Sequence, residues 1–265
     1  VTTPSSAVPD TADATDATAS AATFVTVQHD AYSTSIEFTG ALPGNRLTYA
    51  GMLELIAALQ EAHRENRTLL VLSASGPDFC VGRDQQEHVT GLSRPESLSL
   101  ILRVNELLTA FPGVTICAVH GHALGFGSGL ATQSDFTVAE QSAIFGFDEI
   151  TKGLAPLVVA EYLPTFVGVK QALDLVLSGR LLDAQEAVRL GIVNRLVPEG
   201  SLIGATDRLR DQLSLLEPGA LRLLKSYSRR LRTGAITHPG EAAVRELDQW
   251  LSSGRPENPD TSSKA

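Results

Sequence analysis

The 265-residue chain contains two cysteines, one methionine, one tryptophan and only 5% aromatic residues. Cys80 and Cys117 both lie inside apolar runs, and no CxxC or Cys/His spacing is present. That excludes the usual zinc and redox-dithiol patterns, implies no metal, and fits a reduced, cytoplasmic protein. Apolar runs of about 20 residues are missing, so no membrane-spanning helix is expected. The N-terminus also lacks the basic-then-apolar layout of an export signal. Bases are in deficit: 21 Lys and Arg stand against 30 Asp and Glu, giving a net charge of -9 and a pI of about 5.1. Such a balance disfavours general binding to nucleic acid or to an anionic membrane, while leaving room for a local basic pocket.

With 43% hydrophobic and 19% charged residues, the chain suits one main globular unit. Residues 1–22 are nearly all Ala, Thr, Ser, Asp and Pro, three of them aspartates, with too little apolar surface to offset the entropy of ordering; they read as a disordered tail. The segments 24–30 and 34–40 read as a β-hairpin. From Thr48 to Asn66 the apolar residues Met52, Leu53, Leu55, Ile56 and Leu59 recur at helical spacing, with Thr48 as N-cap. The run TLLVLSAS (68–75) has the continuous apolar character of a strand covered on both faces. A helix over 94–111, a buried strand at 115–121, a glycine-rich turn into a helix, and a strand at 135–140 follow. Beyond residue 154 the pattern is helical, apart from an extended piece at 194–200, with longer helices over 201–217, 218–233 and 241–253. The reading is an α/β core over 23–200, a helical part of the same unit over 201–253, and a polar tail at 254–265.

Two strand-to-turn junctions could carry chemistry: GPDFCVGRDQQEH (76–88) and HGHALGFGSGL (120–130). Ligands in parallel α/β sheets gather beyond the carboxyl ends of strands, and glycine lets backbone N–H groups approach closely. One N–H near Gly82–Arg83 and another near Gly125–Gly127 would suit an enolate or tetrahedral oxyanion. Neither GxxxxGKS/T nor GxGxxG is present, which disfavours nucleotide binding of those types. Taken alone, these glycines fit tight turns equally well.

FCVGRD, then AVHGHALGFGSGLATQSDFTVAEQSAIFGFDEITKGLAP, then LVLSGRLLDAQEAVRLGIVNRLVP resemble the crotonase (enoyl-CoA hydratase/isomerase) superfamily in order, over about residues 24–250. The early GNRLT (44–48) is similar to the family's Asn-x-Leu segment. The resemblance implies an α/β fold built as a spiral of ββα repeats with a helical C-terminal part, a homotrimer or dimer of trimers, and acyl-thioester substrates. Coenzyme A would then be part of the substrate, with no separate cofactor. Residue by residue, the oxyanion N–H groups fall on Arg83 and Phe126, with Val81, Gly82, Asp84, Gly125 and Gly127 in the substrate-binding turns. The Arg83 side chain is expected to be solvated or paired with Asp84, or else to touch the ligand.

The family's hydratases use two glutamates. FGFDEITKG (145–153) places Glu149 at one of these positions, whereas the other falls on Gly129, and neither Ser128 nor Gln133 is an obvious replacement. Hydration benefits from two carboxylates, while a 1,3-proton shift can run on one that removes and returns the same proton. The expectation is therefore an enoyl-CoA double-bond isomerase. The alternatives are a hydratase or dehydratase with a non-carboxylate partner, and a silent thioester-binding relative. Asp148 is expected to point away from Glu149 along an extended segment and serve the surface. Leu157 occupies the place of an aspartate found in another subfamily. His120 and His122 are expected to be structural. A lysine that assists the coenzyme A diphosphate in many relatives is missing after Asp84. Arg83, His88, Arg64 or Arg94 could replace it, or the acyl group could arrive on a carrier protein. The apolar face from Leu98 to Leu108 is expected to be core in the main.

Overall fold

A computed structural model describes residues 23–84 and 86–253; the two tails read from composition, 1–22 and 254–265, lie outside the described residues. β1 (Val25–His29) and β2 (Ser33–Phe38) form the expected antiparallel hairpin, with Asp30 accepting the Tyr32 and Ser33 N–H groups at the turn. Thr48 caps α1 (Tyr49–Glu65), accepting the Gly51 N–H, and Met52, Leu55 and Leu59 are buried along one face. β3 (Leu69–Ala74) is followed by α2 (Arg94–Thr109), which opens with a capping box between Ser93 and Glu96. β4 (Val114–Val119), β5 (His122–Leu124), α3 (Phe126–Gln133), β6 (Phe136–Glu140) and β7 (Ile144–Gly146) complete the first half.

The second half is less purely helical than the apolar spacing predicts. α4 (Leu157–Tyr162), α5 (Pro164–Val167) and α6 (Val169–Ser178) lead into β8 (Leu181–Asp183), then α7 (Ala184–Arg189) and the expected extended piece as β9 (Arg195–Val197). Three long helices end the described chain: α8 (Leu202–Ser214), α9 (Pro218–Arg232) and α10 (Pro239–Ser252).

Six strands make one sheet in the order β1-β2-β3-β4-β6-β9, parallel except for the β1–β2 hairpin. The remaining three form β5-β7-β8. The chain passes from one sheet to the other at Gly121, whose positive φ of 54° and close approach to the Pro77 carbonyl leave no room for a side chain. Residues alternate across β3: Leu70 and Leu72 join the large core beneath α1, α2 and α3, while Leu69 and Val71 meet Leu202, Ala205, Leu209 and Leu213 of α8. α9 buries no residue fully and α10 only Ala242, leaving Leu224, Leu231, Val244 and Leu247 exposed. No helix among the described residues is long and apolar enough to cross a membrane.

Candidate active site

The two glycine-bearing junctions meet. The Cys80 N–H donates to the His122 carbonyl at 3.0 Å and the Leu124 N–H to the Cys80 carbonyl at 2.9 Å, so residues 79–82 run beside β5. On the other side, the Leu47 N–H donates to the Gly82 carbonyl (3.0 Å) and the Asp84 N–H to the Leu47 carbonyl (2.8 Å). This pairing leaves the Arg83 N–H without a backbone acceptor among the described residues. The Phe126 N–H is equally free because it opens α3. Gly82 (φ 100°) lies where a Cβ would be 3.8 Å from the Phe126 nitrogen, so the two donors flank one spot. Gly125 caps α3 at a φ of 51°, and a Cβ on Gly127 would overlap the Cys80 carbonyl oxygen. Val81 packs over Gly44, and the Asp84 carboxylate accepts the Gln86 N–H at 3.0 Å. Arg83, Phe126, Val81, Gly82, Asp84, Gly125 and Gly127 are thus brought together, with two N–H groups aimed where negative charge on oxygen would be stabilised.

Glu149 enters from the second sheet. It begins a 3-10 turn, Glu149–Lys152, separated from β7 by two residues, in place of the extended segment expected there. Its Oε1 lies 3.0 Å from where a Gly125 Cβ would stand, so a side chain at 125 would crowd the carboxylate. Its Oε2 is buried with no hydrogen-bond partner. Burial pushes the carboxyl above the ordinary glutamate range; its own backbone N–H opposes this, the Asp148 charge adds to it, and Lys152 opposes it. Asp148 lines the same cavity, a correction to the expectation that it would face away. It is held by Lys152, whose Nζ lies 3.0 Å from Oδ1 and 2.8 Å from Oδ2.

A cavity of about 510 Å³ joins these groups. Arg83 follows neither structural expectation: its guanidinium donates to the Ser97 carbonyl (2.9 Å) and the Ser97 Oγ (3.0 Å) in the first turn of α2, and not to Asp84. The apolar face of α2 divides, with Leu98 and Ile101 lining the cavity while Val104, Leu107 and Leu108 are buried in the core. Among the proposed phosphate partners, Arg83, His88 and Arg94 line the cavity and Arg64 does not; Lys152, not anticipated, does. His122 is tied to Asp78 at 2.6 Å and His120 to the Gly76 carbonyl at 2.8 Å, and neither lines the cavity. Cys80, just before the Gly82 turn, has its thiol pushed up to about 12 by burial, which removes it as a nucleophile at neutral pH.

Tyr162, at the end of α4, was not anticipated. Its Oη lies 2.6 Å from where a Cβ on Gly129 would stand, so a phenol fills the place left by the missing side chain. Within the apolar run LVVAEYLPTF it reads as one more core residue.

The chain is similar to known proteins over most of the described residues. The family model described as enoyl-CoA hydratase/isomerase matches residues 34–251. A Thermus thermophilus protein with a provisional enoyl-CoA hydratase name is 35% identical over 188 residues, covering 68% of this chain and 74% of that protein. Human enoyl-CoA hydratase domain-containing protein 2, mitochondrial, is 39% identical over 152 residues, covering 56% of this chain and about half (51%) of the human protein. The crystal structure of an enoyl-CoA hydratase from Bacillus anthracis superposes with a TM-score of 0.76 at 27% identity, covering 86% of this chain and 90% of that one. Matched over residues 34–251 by the family model and over most of its length by these relatives, the chain belongs to the enoyl-CoA hydratase/isomerase family of the crotonase superfamily.

Proposed function

We propose that this chain is an acyl-thioester isomerase that moves a double bond from C3 to C2 of an enoyl-CoA, with Glu149 as its single proton carrier. The observation that carries this reading is one buried, unpartnered carboxylate oxygen beside two free N–H groups, with the space over Gly129 already filled. In this scheme the thioester oxygen accepts from the Arg83 and Phe126 N–H groups. Glu149 takes a proton from C2, electron density moves through the dienolate onto that oxygen, and the same proton returns at C4. A carboxyl raised above its ordinary range suits both halves, since it is a stronger base when ionised and still gives the proton back. The basic rim of Arg94, Lys152 and His88 would face the diphosphate of coenzyme A, or the phosphopantetheine of a carrier protein. Assembly into a homotrimer rests on the family resemblance, and the exposed apolar faces of α6, α9 and α10 are compatible with it. Light scattering on the purified chain tests that part.

The names of the similar proteins favour a second reading, water addition to a 2-enoyl-CoA. A paired assay separates the two. Purified protein and Glu149→Gln are each given a 3-enoyl-CoA and a 2-enoyl-CoA, and the products are followed by mass spectrometry. Isomer without a gain of about 18 Da, lost in Glu149→Gln, is the expected result. Water addition as the main wild-type reaction overturns the isomerase reading. Binding of both thioesters with no turnover of either would mark a silent relative.

A further inference from the structure

Gly125 and Gly129 lie one turn apart, the Gly129 N–H donating to the Gly125 carbonyl at 3.0 Å, so both bare one face of α3 toward the cavity. Glu149 Oε1 faces the first glycine, 3.0 Å from a Cβ there, and Tyr162 Oη faces the second at 2.6 Å. Carboxylate and phenol thus stand over consecutive turns of the same helix. The tyrosine is buried and its ring packs edge-to-face on Phe166, with centroids 6.4 Å apart, which fixes the hydroxyl's position. No hydrogen bond holds that hydroxyl among the described residues, although its own carbonyl accepts from Thr165.

Adding water to a 2-enoyl thioester makes a C3–O bond and a C2–H bond, both from one water molecule. One group must take a proton from that water while another delivers a proton at C2. A phenol is un-ionised at neutral pH and can donate a hydrogen bond, but it cannot accept water's proton. Burial, reinforced by the charges of Glu149 and Glu161, pushes this phenol higher still. We propose that Tyr162 is the specificity-determining residue of the pocket. It fills the space beside Glu149 that a water and a second proton acceptor would need, and so commits the site to moving a proton within the acyl chain. The inference rests on the isomerase reading for the wild-type reaction and makes a separate claim about what opens the site to water.

The test uses the full chain as wild type, Tyr162→Phe, Gly129→Ala, and the pairs Tyr162→Phe/Gly129→Ala and Tyr162→Phe/Gly129→Glu. Each is checked for folding by circular dichroism and for binding of butyryl-CoA, then assayed with both enoyl-CoA substrates. Because the ring Cζ lies 3.6 Å from a Gly129 Cβ, an ordinary contact, removing the hydroxyl should make room for a side chain at 129. Gly129→Ala alone should lose isomerisation and Tyr162→Phe/Gly129→Ala should regain it. Tyr162→Phe/Gly129→Glu should raise the ratio of water addition to isomerisation by about tenfold or more. If that pair folds, binds butyryl-CoA and adds no water, the inference is overturned. If it does not fold, the alanine cycle decides, and absence of rescue overturns the steric basis. A wild type that hydrates strongly and loses hydration in Tyr162→Phe also overturns it, since the phenol would then be a hydration partner. A wild type inert toward 3-enoyl-CoA beside a Tyr162→Phe/Gly129→Glu pair that gains water addition refutes the isomerase reading and upholds the separate claim that Tyr162 keeps water out of the site.

Discussion

The floor and the roof of the cavity are built by opposite rules. On the floor, Gly82, Gly125 and Gly127 bring backbone against backbone, and a single methyl on Gly127 would overlap the Cys80 carbonyl. On the roof, the 3-10 turn at Glu149–Lys152 and the start of α4 carry half-exposed or exposed side chains, with Leu157 75% exposed. In the proposed reaction the floor would hold charge with backbone N–H groups that no side-chain substitution can delete. In the proposed reaction the roof supplies the one group that would move a proton. Rigidity and the proposed chemistry would therefore belong to different segments, and substitutions in each should fail in different ways.

Glu149→Gln gives the largest contrast: turnover should fall about 10²- to 10⁴-fold while thioester binding persists, measured by steady-state kinetics beside calorimetric titration. On the floor, Gly127→Ala should act through the fold as well as the site. Overpacking of this kind costs about 1–3 kcal/mol, read as a lowered Tm together with loss of activity. A roof substitution that also impaired folding to that extent would break the contrast.

The pH dependence sharpens it. Glu149 must be ionised to take a proton, so kcat/KM should fall on the acid side at a pH above the ordinary glutamate range. Asp148→Asn removes a like charge and releases Lys152 toward Glu149, so the acid limb should move to lower pH. Stability follows the opposite sense from that of a salt-bridged carboxylate. With its folded pKa raised, Glu149 binds more protons folded than unfolded across the interval between the two values, and stability is lost as pH rises through it. Glu149→Gln should thus raise Tm above that interval, by roughly 2–4 °C for each kcal/mol relieved, with the gain vanishing below the ordinary carboxyl range. The smallest effect belongs to Leu157→Ser, which should leave stability within about 0.5 kcal/mol and change only KM.

The long elements were legible because each repeats its period several times. Thr48 to Asn66 and the Leu69–Ala74 strand fall where apolar spacing puts them. β5, β7 and β8 have three residues each, too short for any period to register, and they are the strands that swing the Glu149 turn beside Gly125. The glycine loops declared themselves through composition. The Arg83 clasp on Ser97 did not, because nothing in FCVGRD indicates which way a long side chain leaves a turn. Tyr162 was hidden for a related reason: it lies 33 positions along the chain from Gly129, and only the assembled fold reveals that a hydroxyl meets a missing side chain.

The clasp of Arg83 has a mechanical consequence. A planar, rigid guanidinium joins the peptide that would hold the thioester oxygen to Ser97, and the same helix carries Leu98 and Ile101 along the cavity wall. Helix and peptide are connected by a strut of two hydrogen bonds. In the proposed reaction, an acyl chain that pressed α2 outward, or left it slack, would shift the alignment of the donor at the other end, so chain length would be read in the rate of proton transfer as well as in the strength of binding.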